Sequence, residues 1–263
     1  LHRPMRIREY DPGTELTYDL DPIEPQHRGH LLRVHLRIER SVGGGFAGQV
    51  YQARLLSIQN GVVPGVEAGK TYALKILIPS SGFALFFRNL LFAIGFQSPF
   101  QLQCNPVAAR CGALWQKFIH RAAAARFGDP GAVNNVHGIL VDRQLGACGE
   151  LSDWIDGRTW RLEVDDRMDM LKRWQKGEQV NSRELGSPEY RTKKEFMRDF
   201  VALLHEMGAH EFARQYEWST CKSQPNCLKR SSTEEDPLQG LVAVDFRAGL
   251  TLLPFLPMSP GDV

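Results

Sequence analysis

The sequence predicts an α+β chain in two lobes, a five-stranded antiparallel sheet with one inserted helix followed by a mainly helical part. Three observations carry this. Apolar residues alternate with polar ones from Leu32 to Ile38, and the glycines Gly43, Gly44 and Gly45 separate that run from Gln49 to Leu55, as a hairpin requires. A helix with its own start signal, Asn105-Pro106, interrupts the strands. Beyond Gly157 the apolar period lengthens, with Phe196, Phe200, Leu203, Leu204 and Met207 on one helical face.

Taken in order, residues 1–31 carry Pro4, Pro12, Pro22 and Pro25 among mixed charges and predict an extended arm. Strands follow at Leu32–Ile38 and Gln49–Leu55, then, after a turn-rich loop from Asn60 to Gly69, at Tyr72–Ile78, where Pro79 ends the run. Six of the 14 Phe (83, 86, 87, 92, 96 and 100) fall in the next stretch. The capped helix then runs to Gly128, with Val107, Cys111, Leu114, Phe118 and Ala122 at helical spacing. Val133–Val141 and Leu145–Leu151 predict the fourth and fifth strands, joined at Asp142-Arg143-Gln144. Leu162–Trp174 and Phe196–Met207, closed by Gly208, predict helices, and Leu241–Asp245 a last short strand. The expected organisation is an arm over 1–31, a sheet lobe over 32–150 with a Phe-rich insertion near 80–104, and a helical lobe over 151–263.

Composition narrows the function classes. At 43% hydrophobic and 24% charged residues over 263 positions, the chain has the make-up of a globular protein. A formal net charge of +2 offers no argument for a nucleic-acid partner. The five cysteines (104, 111, 148, 221 and 227) are odd in number and never in a CxxC, which excludes a zinc ribbon and argues for a reducing compartment, the cytoplasm by default. No apolar run approaches the roughly 18 residues that span a bilayer. The chain opens on Leu1 and closes on Val263, and it is expected to be a piece of a longer protein. The Phe-rich stretch is expected to pack as a helix over the sheet lobe. Peripheral membrane contact through Phe83–Phe100 is the alternative, with Arg88 as its single cation.

Gly43-Gly-Gly45-Phe-Ala-Gly48-Gln-Val50 satisfies GxGxxGxV. Its setting is strand, turn, strand; a dinucleotide-binding fold would open a helix after the last glycine, so that reading is disfavoured. Gly65 to Thr71 ends like a P-loop, but Pro64 occupies the place of the first glycine and a strand follows instead of a helix. Tyr72-Ala73-Leu74-Lys75 matches the V-A-I-K pattern of a strand lysine that meets the phosphates of ATP. With the glycine turn before it, a helix after it, and Glu150-Leu-Ser-Asp-Trp154 at the end of the fifth strand, this order resembles the protein-kinase-like superfamily. The resemblance implies a two-lobed fold binding ATP and Mg²⁺. Gly43, Gly45 and Gly48 would cover the phosphates, Val50 and Ala73 pack on the purine, Lys75 orient the α- and β-phosphates, and the segment from Glu150 to Trp154 hold adenine. Val244-Asp245-Phe246-Arg247-Ala248-Gly249 resembles the D-F-G segment, and Pro225-Asn226 the end of the catalytic loop. Asp245 and Asn226 would then hold Mg²⁺, with Lys222 neutralising the γ-phosphate.

The sequence also departs from that pattern. Between Lys75 and Glu150 there is no Glu to pair with the strand lysine, only Asp129 and Asp142; Gln116 on the helix is the nearest substitute. Counting back from Asn226 puts Cys221 where the catalytic base belongs, leaving Glu211 and Glu217 as carboxylates for that role. The chain stops fourteen residues after Gly249, short of the activation segment and later helices the resemblance implies, a truncated helical lobe. Two readings follow: an atypical phosphotransferase using Mg-ATP, acting on a protein substrate, or a pseudokinase that binds nucleotide or a protein partner without phosphoryl transfer.

Overall fold

The computed structural model describes residues 5–24, 29–44, 48–79, 81–94, 98–159, 170–179, 188–210 and 227–244 other than 234 and 237, with 181, 186, 212 and 213. The chain divides into two compact units, 1–118 with 135–154, and 119–134 with 155–263.

The strands of the first unit are β1 (Glu15–Pro22), β2 (Leu32–Gly44), β3 (Gln49–Gln59), β4 (Thr71–Ile76), β5 (Val136–Asp142) and β6 (Ala147–Asp153). They form a closed antiparallel barrel in the order β1-β2-β3-β4-β6-β5. The expected five-stranded sheet is therefore corrected to six strands. The additional one comes from the stretch read as an extended arm, where Leu16, Tyr18 and Leu20 are buried and alternate with exposed Thr17 and Asp19. β1 pairs with β2 along one side and with β5 along the other, which closes the sheet on itself and removes its free edges. Inside, Leu36, Ile38, Tyr51, Leu55, Leu74 and Leu151 belong to one core.

Three helices accompany the barrel: α1 (Gly82–Ala93), α2 (Ser98–Cys104) and α3 (Pro106–Phe127). α3 starts where its signal predicts. The Val107 amide donates to Asn105 Oδ1 at 3.0 Å, and Gly128, at φ +67°, ends the helix in the left-handed region. Ala109 and Ala113 pack with Ile139 and Cys148 in a second apolar cluster. The apolar stripe that marks the helix in the sequence points the other way: Val107, Cys111, Leu114 and Phe118 are exposed, while Gln116 and Lys117 are buried. α1 shares this inversion, with Arg88 fully buried and Phe83 and Phe86 exposed. Among the described residues, no helix is long and apolar enough to cross a membrane.

The second unit contains α4 (Pro188–Glu206) and a three-stranded antiparallel sheet, β7 (Gly157–Thr159), β8 (Cys227–Arg230) and β9 (Leu241–Ala243), with β8 central. α4 buries Met197, Phe200, Leu203 and Leu204 against Ile119, Ala123 and Cys227. Gly208, at φ +73°, closes it as the sequence signal predicts. Of the expected helix at 162–174, residues 170–174 are helical and the remainder lies outside the described residues.

α4 also buries a lysine. Lys193 is 1% exposed, its ammonium donates to the Cys227 carbonyl at 3.4 Å, and burial pulls it down to about 8. Below that pH the buried charge opposes folding. The penalty fades as pH rises from about 8 towards 10.5, where the unfolded chain also loses the proton. Net of the lost hydrogen bond, Lys193→Met is expected to stabilise the protein at pH 7 by about 2 kcal/mol. The gain should shrink by pH 10, as thermal melts at the two pH values would read; a lower midpoint at pH 7 would refute it.

Candidate functional site

The barrel register builds the site. Gly43 on β2 is opposite Val50 on β3, Val50 is opposite Lys75 on β4, and Lys75 is opposite Glu150 on β6. Four residues singled out in the sequence thus form one row across four strands. The adjoining row contains Gln52, Ala73 and Ser152. Residues two apart along a strand share a face. Val50, Ala73, Lys75 and Glu150 therefore lie on the outer face of the barrel, half-buried, opposite the core side chains Tyr51, Leu74 and Leu151.

Trp154 stands where β6 ends. The Arg40 guanidinium lies over its ring at 5.4 Å, and Arg40 Nε donates to Gln52 Oε1 at 2.5 Å. This links the ring to the Gln52 row. On the other side the glycine turn is pinned to β4: a Cβ on Gly48 would lie 2.7 Å from the Ile76 carbonyl oxygen, so no side chain is accommodated. Gly43, at φ +130°, sits where the β2–β3 register shifts, with nothing within 4 Å of its missing Cβ. The turn is close-packed at one end and open at the other.

Glu150 was expected at the strand-to-linker boundary. The structure places it inside β6, between Lys75 on β4 and Ile139 on β5, so its backbone belongs to the sheet ladders on both sides. The linker begins at Trp154. The side chain of Glu150 instead faces the same way as Lys75, directly across the strand pair, where Cβ atoms are about 5 Å apart. α3 supplies no acid. Its inward Gln116 is buried, and its inward Lys117 pairs with Glu24 at 2.6 Å. The acid that lies opposite Lys75 is on a neighbouring strand and not on the helix; the missing signal was the pairing of the third expected strand with the fifth.

A second group was also missed. His137 is 1% exposed and its Nε2 lies 2.7 Å from Asp153 Oδ1, while its ring meets Tyr72 edge-on at 5.6 Å. The Tyr72 hydroxyl donates to the Gly65 carbonyl and accepts from the Glu67 amide. The stretch that ends like a P-loop is thereby tied down as a turn into β4, in keeping with the strand expected there. Gly45, Lys222, Asn226 and Asp245, with Glu211 and Glu217, lie outside the described residues. Among the described residues no three His, Cys, Asp or Glu side chains gather as a metal site.

No protein-family model matches the sequence, and no curated protein matches it. Among solved structures, the chain is similar to vaccinia related kinase 3, at 12% identity and a TM-score of 0.44, over 91% of this chain and 52% of that one. It is similar to the BubR1 kinase domain at 14% identity and a TM-score of 0.40, over 96% of this chain and 55% of that one. The corresponding values for the Mycobacterium tuberculosis PknI kinase domain are 16% identity, a TM-score of 0.35, 82% and 60%. The chain thus spans between 52% and 60% of the length of these three structures.

Proposed function

We propose that the chain is an ATP-binding domain of protein-kinase-like type that transfers phosphoryl groups from Mg-ATP. The observation that carries this reading is the row Gly43–Val50–Lys75–Glu150 on the outer face of the barrel, beside a glycine turn that is open at Gly43. A strand cation next to exposed glycine backbone suits a polyphosphate: amides can approach closely while the ammonium meets the oxygens. In this reading Gly43, Gly45 and Gly48 cover the phosphates, Val50 and Ala73 pack on the base, and Lys75 orients the α- and β-phosphates. Glu150 holds the Lys75 ammonium in place, a role exchanged for the adenine contact first expected of it. Trp154 flanks the base at the strand exit.

Asn226 and Asp245 would hold Mg²⁺ and Lys222 the γ-phosphate, all from outside the described residues. The metal would supply neutralisation of charge on the β- and γ-oxygens. A cytoplasmic location is proposed with this reading, supported by the free thiols of Cys111 and Cys227.

A second reading, a pseudokinase that binds nucleotide and a protein partner without turnover, is favoured by α3, whose inward groups are Gln116 and a paired Lys117.

A thermal-shift titration with Mg-ATP tests the proposal. Ligand at about 100 times Kd stabilises by roughly 2.7 kcal/mol, which raises the midpoint by about 5 °C or more for a chain of this size. The parent is expected to show that shift, Lys75→Ala and Asp245→Ala to lose it, and Glu150→Gln to weaken binding about tenfold. No shift in the parent removes the nucleotide reading. A shift without phosphate release or autophosphorylation selects the pseudokinase.

A further inference from the structure

The helices beside the barrel are inside out. On α1, Phe83, Phe86 and Leu90 are exposed, and Ile94 just beyond the helix end continues the stripe. On the first three turns of α3, the exposed residues are Val107, Cys111, Leu114, Trp115 and Phe118. Among the described residues between 81 and 118, no exposed residue is charged. The polar groups have turned inward instead. Arg88 is fully buried, its Nη1 on the Met5 sulfur at 2.8 Å and its Nε and Nη2 without a partner, and Gln116 and Lys117 are buried on α3.

Burying a guanidinium while leaving phenylalanines in water is the reverse of what solvent selects. It becomes favourable where the outward medium is apolar. A protein partner presents a patch rimmed by polar groups that need matching, and the described exposed residues of these faces offer no charge to match them. Hydrocarbon needs neither charge nor shape from its partner. Trp115, exposed among aliphatic and aromatic neighbours, is the side-chain type enriched at the headgroup level.

We propose that the first unit docks peripherally on a lipid bilayer through the outward faces of α1 and of residues 107–118 of α3, by apolar insertion that requires no anionic lipid. The proposal is independent of nucleotide binding. Membrane contact through the Phe-rich stretch was the alternative that the sequence offered to packing over the sheet lobe. The structure adds α3 to it, while the side chains of Phe92, Phe96 and Phe100 lie outside the described residues.

Flotation of the whole chain with vesicles of phosphatidylcholine alone, and with phosphatidylserine added, tests this. The parent is expected to float with both and to stay bound in high salt. Phe86→Ser and Trp115→Ser should each lower partitioning about tenfold, Phe86→Ser at an unchanged thermal midpoint because its side chain is 64% exposed, and Trp115→Phe should retain most of the binding. Three results overturn the proposal. The parent could stay at the bottom with both vesicles. It could float only with phosphatidylserine and release in salt. Or it could sediment as a dimer that vesicles leave intact and Trp115→Ser splits, which would make the surface a protein interface.

Discussion

Glu24→Gln is expected to destabilise the protein by about 3 kcal/mol or more, although residue 24 lies in a stretch that reads as an extended arm. Glu24 Oε1 is 2.6 Å from Lys117 Nζ, and both side chains are about nine-tenths buried, at 9% and 11% exposure. The same ammonium donates to Asn135 Oδ1 at 2.8 Å and to the Val136 carbonyl at 3.4 Å. Removing the carboxylate leaves a buried charge held only by neutral acceptors. Lys117→Met should also destabilise, because it takes the buried cation away from the Glu24 carboxylate. The double variant Glu24→Leu/Lys117→Met should recover most of the loss, since no uncompensated charge remains. Denaturant titrations of the four proteins give the coupling directly. Single losses that simply add would show that the pair is not what ties the arm to α3.

Asp142→Ala is expected to have a comparable effect through neutral groups. Asp142 is 1% exposed; its Oδ2 accepts the hydroxyls of Tyr18 at 2.6 Å and Tyr10 at 2.7 Å, and its Oδ1 accepts the Leu145 amide at 2.7 Å. One carboxylate thus joins the N-terminal residues, β1 and the β5–β6 turn. Truncation takes a buried acceptor from three donors, of which Tyr10 keeps only the longer contact to Gln144 Oε1 at 3.5 Å, about 3 kcal/mol or more in sum, whereas Asp142→Asn keeps acceptor oxygen and should lose less. The cluster also predicts alkaline sensitivity. Burial first, and the Asp142 carboxylate second, hold both phenols above their ordinary range. Above pH 10 the unfolded chain releases protons that the folded protein retains, so stability is complete below 10 and falls as pH rises. The slope is about 1.4 kcal/mol per pH unit for each tyrosine. Tyr18→Phe should remove one such proton from the slope between pH 9 and 11. A slope unchanged in that variant would refute the assignment.

Elements set by neighbours in the chain were legible in the sequence. The alternation at 32–38, the Asn105 cap and the Gly128 and Gly208 stops all appear where their local signals place them, while Gly43 and Gly44, read as the turn, continue β2. β1 was legible in principle, for Leu16, Tyr18 and Leu20 alternate cleanly, but four prolines and mixed charges across 1–31 masked a run of eight residues. Candidate residues on three consecutive strands, Gly43 on β2, Val50 on β3 and Ala73 and Lys75 on β4, could be placed from order alone. Glu150 could not, because its meaning depends on which distant strand lies beside it.

By itself, then, the sequence determined the mix of helices and strands, the strands that border the glycine turn, and a strand lysine two residues after a small alanine. Its 263 residues carry these as local patterns, since turn chemistry, capping and side-chain alternation act over a few positions. Tertiary structure alone decided that the sheet closes with a sixth strand, that Glu150 faces Lys75, and that Lys117 answers to Glu24. It also decided that the apolar stripe of α3 faces outward. A helical period states that a helix has an apolar face, and only the surroundings say which medium that face meets.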